Sequence, residues 1–292
     1  MRVEPTYLIC VGATKAGTSW LFDHLSRHPE CHLRSVKELH YFDRPEGGAE
    51  GWQVRANRAK IVQRAQKLAA GGKPWLARQI VDLEDWNAVL TDGSVTLDAY
   101  RAYVTKGLAA QKLVADITPS YATLPAPVLR RMNDIGADVR IVYLLRDPVD
   151  RLWSHVRMLA GRVVARPEDV PAAAVARMQA AVAGDDPLMD GRGDYRGGLQ
   201  RLRAAFAPEK LLVMFTEELL TLPGMQRLWA FLGLSPAAVD FDQKVHASVP
   251  VALPSGLAAQ ARVALQGQYD YVASCFPTLP DAWSQNMMGN AA

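Results

Sequence analysis

Long apolar runs are missing from this 292-residue chain. None approaches the roughly 20 residues needed to cross a bilayer. The first apolar stretch is cut short by a glycine loop, too early for a signal peptide. The expectation is a soluble, cytoplasmic protein. Cysteine is scarce: Cys10, Cys31 and Cys275 lie far apart and form no CxxC pair. That pattern suggests neither a zinc site nor a disulfide framework and fits a reducing compartment. Excess charge is also small, at +3, too little to argue for a nucleic-acid partner. No internal repeat, low-complexity tract or linker is visible, so residues 1–292 read as a single domain. A GxGxxG fingerprint is absent, which disfavours a nicotinamide or flavin cofactor.

What is present is ordinary globular composition, 49% hydrophobic and 22% charged, with strands and helices in alternation. Tyr7 to Val11 is a continuous apolar run and reads as a buried strand. Thr18 to Arg27 has helical spacing and is stopped by Pro29. Cys31 to Arg34 suits a short second strand. Residues 53–70 have helical character, whereas 71–95 mix Gly, Pro and Asp without a clear period. Thr96 to Ala110 reads as a helix, Lys112 to Ala115 as a strand and Ala126 to Met132 as a short helix. RIVYLLR at 140–146 is the clearest strand; Asp147 and Pro148 then suit the N-cap and first position of a helix. Further helices are expected at 168–183 and 193–206, a strand at 210–215 and a helix from Pro223 to Leu232 closed by Gly233. The last sixty residues look irregular apart from a helix near 256–268. This alternation implies an α/β fold of the P-loop type: three layers, with a central parallel sheet flanked by helices. Sites in such sheets lie beyond the carboxyl ends of the strands.

Two strand ends stand out. After the first comes GATKAGTS. Its glycines, Gly12 and Gly17, have P-loop spacing, but Thr18 and Ser19 follow where that motif puts Lys and Ser/Thr, and the lysine, Lys15, is inside the loop. Backbone N–H groups of such a turn, continued by a helix N-terminus, form a concave surface for an anion. Lys15 and the hydroxyls of Thr18 and Ser19 would reach the same anion from other sides. The alternative is a tight turn with no ligand. After the strand at 140–146 comes RDPVDRLWSH, with Arg146 at the strand end and Ser154 two turns into the helix. A guanidinium grips phosphate with two parallel bonds and a hydroxyl adds a third. Alternatively, Arg146 pairs with Asp147 or Asp150. Arg151 reads as structural or solvated.

KAGTS at 15–19 and RDPVDRLWSH at 146–155, in that order, resemble the sulfotransferases that use 3′-phosphoadenosine 5′-phosphosulfate (PAPS). KELHYFD at 37–43, ITPSY at 117–121, and GDYRGGLQRLRAAF followed by KLLVMFTEELL resemble the carbohydrate-type branch, which includes the heparan sulfate enzymes. The resemblance runs from residue 7 to about 235. It implies a PAPS-dependent enzyme in which Lys15, Ala16, Gly17, Thr18 and Ser19 wrap the 5′-phosphosulfate and Arg146 and Ser154 hold the 3′-phosphate. It also implies Glu38 as general base, with His40 as a second candidate base or as the group that orients Glu38. A bland reading of His40 is a satisfied polar residue near the core. Lys15 would stabilise the leaving phosphate oxygen, and no metal would be required. The partner would be an acceptor with a hydroxyl or amine (a carbohydrate, lipid or small molecule).

The chain departs from the branch in carrying Asp116-Ile117 where the heparan sulfate enzymes tend to have a Glu-Lys pair, which weakens the expectation of a heparan-like acceptor. Residues 44–95 and 161–192 are free to specify the acceptor. The first holds Arg55, Arg58, Lys60, Arg64 and Lys67, a basic face for an acidic sugar or a solvated face. Trp52, Trp75, Trp86 and Trp153 are stacking platforms or core. The segment 243–256 is a candidate cover for the nucleotide. Two other readings compete: a P-loop kinase for a small metabolite, which the missing GK[ST] disfavours, and a non-catalytic nucleotide-binding module.

Overall fold

A computed structural model of the protein describes residues 4–44, 51–91, 95–186, 191–243 and 250–287. The first strand, β1 (Thr6–Gly12), is buried at every position after Thr6. Helix α1 (Thr18–Arg27) and the two-residue β2 (Cys31–His32) follow. Next come α2 (Trp52–Ala69) and α3 (Trp75–Thr91), packed on each other, then α4 (Leu97–Thr105) and β3 (Leu113–Ile117). A 3-10 turn at Tyr121–Thr123 and α5 (Ala126–Arg130) lead into β4 (Val139–Leu145). Helices α6 (Pro148–Val163), α7 (Val170–Ala183) and α8 (Tyr195–Ala205) precede β5 (Leu211–Phe215). The chain then forms α9 (Thr216–Leu219), α10 (Leu222–Leu232), α11 (Ser255–Cys275) and α12 (Asp281–Met287).

The strands form one sheet in the order β2-β3-β1-β4-β5, parallel at every pairing. Cys10 of β1 lies opposite Ile117 of β3 on one side and Val142 of β4 on the other. The central strands are apolar along nearly their whole length, as expected when helices cover both faces of a parallel sheet. The chain builds one side of β1 first and then crosses to the other. The order therefore reverses beside β1, and the crevice beyond its carboxyl end is where such sheets bind ligands.

Local chemistry explains the helix starts. The Asp147 carboxylate accepts a bond from Asp150 N–H at 3.0 Å, with Pro148 at the first helical position of α6. Thr96, Asp194 and Thr221 cap α4, α8 and α10 in the same way. Gly233, at φ 68°, closes α10.

The structure departs from the sequence pattern in four places. Residues 71–95 contain the whole of α3, whose apolar stripe (Leu76, Leu83, Trp86, Leu90) is obscured by polar residues at buried positions. One of these, Asp82, pairs with Arg34, whose Nε donates to it at 2.9 Å; both side chains are 6% exposed. Helix α4 ends at Thr105 rather than Ala110, because Gly107 takes φ 88° and turns the chain. Only Cys31 and His32 of the stretch 31–34 pair with β3. The C-terminal segment holds the 21-residue α11 and also α12. The buried stripe of α11 mixes Ala258 and Ala261 with Leu257, Leu265, Tyr269 and Val272, too weak a pattern to stand out. Trp86 and Trp153 are core, whereas Trp52 and Trp75 are more than half exposed. Arg151 is buried, not solvated. Among the described residues, no helix is long and apolar enough to cross a membrane.

Arg34→Ala should cost about 3–5 kcal/mol of stability by leaving the Asp82 carboxylate buried and unpaired. Urea unfolding measures this, and the Arg34→Met/Asp82→Leu double variant should recover much of the loss.

Candidate active site

The turn after β1 is built from backbone that few side chains tolerate. Gly12 adopts φ 150°, and a Cβ there would sit 2.9 Å from the Pro119 carbonyl oxygen. Gly17 adopts φ 86° and is the N-cap of α1, which has no side-chain cap and no acidic residue in its first turn. Helix starts carry orphan N–H donors and partial positive charge, and here no carboxylate of that first turn offsets them. Thr18 is buried and Ser19 partly exposed at this start. Ala16 is fully buried. Its N–H donates to Ala13 O at 3.2 Å, so that donor is already engaged within the turn. The Thr216 hydroxyl lies 3.0 Å from both Ala16 O and Leu145 O, tying the turn to the end of β4. Thr14, inside the turn, has a buried hydroxyl with no partner among the described residues.

Beyond β4, Arg146 makes a 3.4 Å ion pair with Asp150, one of the two pairings open to it from sequence. Its backbone is fixed by Tyr195, whose hydroxyl donates to Arg146 O at 2.6 Å and lies 3.2 Å from Arg146 N. Ser154 is buried on α6, the helix that also carries Arg157 and Arg162. His155 is buried beside Ser154. Burial, and then the charges of Arg151, Arg192, Lys15 and Arg162, push it down to about 3, so it is neutral.

Glu38 and His40 meet, but not on one face of an extended strand. Glu38 takes φ 68° and His40 φ 53°. With Lys15 at φ 70°, they are the non-glycine residues of positive φ among the described residues. Such backbone costs about 1–3 kcal/mol per residue and persists where the surroundings impose it. The peptide groups around Glu38 and His40 are pinned. Leu39 O accepts bonds from Trp86 Nε1 (3.0 Å) and from the Gln53 amide, and Tyr41 N–H donates to the Tyr121 hydroxyl at 2.8 Å. His40 Nε2 is 3.6 Å from Glu38 Oε2, and its Nδ1 is 2.8 Å from Asp43 Oδ2. Ser120 donates to that same Asp43 oxygen at 2.6 Å. On the outer side, Trp52 lies edge-on to the His40 ring at 5.0 Å.

Charge follows from this geometry. Burial opposes ionisation of Glu38, but the His40 bond and the charge and 2.8 Å bond of Lys37 outweigh it and hold the carboxyl far below its usual range. Burial likewise opposes a charged His40, yet its bonds to Asp43 and Glu38 raise it to about 9. At neutral pH the pair is therefore a carboxylate beside an imidazolium. Lys15 is lowered by burial first and then by Arg146, Arg157, Arg162 and Lys37. Cations from the β4 end, α6 and the Glu38 loop thus act on the lysine of the turn. That arrangement suits a ligand bearing several negative charges. Among the described residues, no group of three or more His, Cys, Asp and Glu is placed to hold a metal.

A family model described as the sulfotransferase family matches residues 8–235. The chain belongs to that family. Among solved structures, a sulfotransferase from Alicyclobacillus acidocaldarius is similar at TM-score 0.61 and 22% identity, over 97% of this chain and 100% of that one. The sulfotransferase domain from the curacin biosynthetic pathway is similar at TM-score 0.50 and 17% identity, over 92% and 98%. At these identities the likeness is one of fold: a central parallel sheet flanked by helices. No curated protein matches the chain. The family match spans both strand ends and the Glu38 loop; α11 and α12 lie beyond it.

The motifs point to Lys15, Glu38, His40, Arg146 and Ser154, but not to the groups that hold them. Asp43, Ser120 and Tyr121 lie within KELHYFD and ITPSY, so the motifs mark their segments without revealing their bonding. Thr216 lies within KLLVMFTEELL, which likewise marks the segment without revealing its bonds to the turn and to β4. Of the expected cover at 243–256, residues 244–249 lie outside the described residues.

Because folding raises His40 from 6.5 to about 9, its contribution to stability is full below about pH 6.5 and is lost as pH rises through 9. Urea unfolding at pH 6 and pH 9.5 should show a larger loss across that window in the wild type than in His40→Gln.

Proposed function

We propose that the protein transfers the sulfuryl group of PAPS in line onto a hydroxyl or amine. The observation that carries this reading is the glycine-shaped turn from Gly12 to Gly17 at the uncapped start of α1, whose Lys15 feels the charges of Arg146, Arg157, Arg162 and Lys37, with an ionised Glu38 paired to Lys37 at 2.8 Å. The residues present fit the co-substrate. The uncapped α1 start and the Gly12–Gly17 turn offer donors for a phosphosulfate, and Arg146 with Ser154 suits a second phosphate. PAPS, when bound, supplies a sulfuryl group already activated by its mixed-anhydride bond to phosphate.

Lys15 is the group that neutralises the phosphate oxygen on which charge builds as its bond to sulfur breaks. A fixed cation there favours the transition state over the ground state. Thr14, Thr18 and Ser19 add hydroxyl donors. Glu38 receives the proton from the acceptor as the new bond to sulfur forms. His40 is poorly suited to that role, because it is protonated up to about pH 9 and both ring nitrogens face carboxylates. Instead it orients Glu38 and, held by Asp43, keeps it ionised. Exposed Trp52, edge-on to His40, marks the side from which the acceptor reaches Glu38. The resemblance to the carbohydrate-type branch supports the Glu38 assignment through the E-x-H spacing.

Calorimetric titration should show 3′-phosphoadenosine 5′-phosphate binding more tightly than ATP with magnesium; the opposite ranking would favour a kinase. In a PAPS turnover assay with acceptors read by mass shift, Lys15→Ala should lower kcat by about 10²–10³-fold. Glu38→Gln should lower kcat by about 10²–10⁴-fold while nucleotide affinity stays nearly unchanged. A large loss of nucleotide affinity in Glu38→Gln would remove Glu38 as the base.

A further inference from the structure

Asp116, near the end of β3, is 2% exposed. It touches none of the proposed reacting groups, and among the described residues neither oxygen pairs with a cation. Three hydroxyls converge on it instead. Thr118 donates to Oδ1 at 2.6 Å, while Tyr121 and Tyr100 donate to Oδ2 at 2.9 and 3.1 Å. Burial raises the carboxyl to about 6, and the three bonds oppose that rise. A carboxylate is a pure acceptor, so each hydroxyl must spend its single proton on it. That requirement fixes the polarity of Tyr121. With its proton committed to Asp116, its lone pairs face outward, and one accepts Tyr41 N–H at 2.8 Å.

This bond sits immediately after His40, whose φ of 53° needs external support. The same segment also shapes the anion turn. Thr118 N–H donates to Cys10 O at 3.0 Å, and Pro119 O is the atom that excludes a side chain at Gly12. Asp116 therefore stands where the turn after β1 and the Glu38 loop share a wall.

We propose that Asp116 is a positioning residue: through Tyr121 it orients the Glu38–His40 loop against the anion turn. The catalytic meaning of that loop rests on the reading of Glu38 as base; the positioning itself does not.

The test reads the loop without an acceptor or a nucleotide. His40 reports its own geometry, because its elevation to about 9 comes from the bonds to Asp43 and Glu38. It can be titrated by NMR with imidazole-labelled protein, one of six histidines, assigned by His40→Gln. Tyr121→Phe removes the acceptor for Tyr41 N–H and keeps the Asp116 charge. It should drop the His40 midpoint by about one unit or more toward the ordinary value. Tyr100→Phe deletes a bond to the same carboxylate oxygen while keeping the ring that packs on Tyr41 at 4.6 Å and the Tyr41 N–H bond, and should leave the midpoint unmoved at comparable loss of thermal stability. Asp116→Asn leaves one acceptor oxygen, puts a donor in place of the other and removes a nearby negative charge, so it should also lower the midpoint. If that variant does not fold, the two tyrosine variants decide alone. Equal midpoints in Tyr121→Phe and wild type, or equal drops in Tyr121→Phe and Tyr100→Phe, would overturn the proposal. Because this readout needs no turnover, its failure is distinguishable from failure of the Glu38 assignment, which the kinetics of Glu38→Gln address.

Discussion

The site depends on a lysine that is partly buried within the field of other cations. Lys15 is partly desolvated and feels the charges of Arg146, Arg157, Arg162 and Lys37, which come from the β4 end, α6 and the Glu38 loop. Holding like charges together costs free energy, and the scaffold has to supply it. The parallel sheet does so by placing the ends of β1 and β4 side by side, with Thr216 bridging the two. A glycine-shaped turn then lets backbone donors and the α1 start add to the same positive potential instead of dispersing it.

Beside this potential stands a compensating device of opposite polarity. Glu38, His40, Asp43 and Ser120 form a chain of alternating charge and hydrogen bonding, and Lys37 links its first member to the cation cluster. Each member sets the protonation of the next. His40 keeps Glu38 ionised, and Asp43 keeps His40 charged. The chain exists because the backbone at Glu38 and His40 is inverted, and the inversion holds because Leu39 O and Tyr41 N–H are both pinned. Two tryptophans divide this labour. Trp86 is core and donates to Leu39, while Trp52 is exposed at the rim and touches His40 from outside.

Much of the framework can be read along the chain. The apolar runs at 7–11 and 140–146, the Asp147-Pro148 helix start and the Gly233 helix stop are local signals, and each corresponds to an element in the structure. Helix α3 and the length of α11 were not legible. Their buried faces contain Asp82 and Asn87 in one case and alanines in the other, and neither gives a strong period. Asp82 is tolerated inside because Arg34, 48 residues earlier, meets it; no local window contains that fact.

The sequence by itself determined the kinds of groups available and their order: a lysine within a glycine turn, an Arg–Ser pair across a strand–helix junction, and Glu and His two residues apart. These are properties of neighbours in the chain, carried by spacing and by the backbone freedom of glycine. Tertiary structure alone decided how those groups are charged and aimed. Glu38 is a carboxylate and His40 an imidazolium because the inverted backbone turns Lys37, Glu38, His40 and Asp43 onto one another, and Gln53, Trp86 and Tyr121, from remote segments, hold that backbone. Proton affinities and hydrogen-bond polarity depend on distances of a few ångströms between remote segments, and those distances appear once the sheet has assembled.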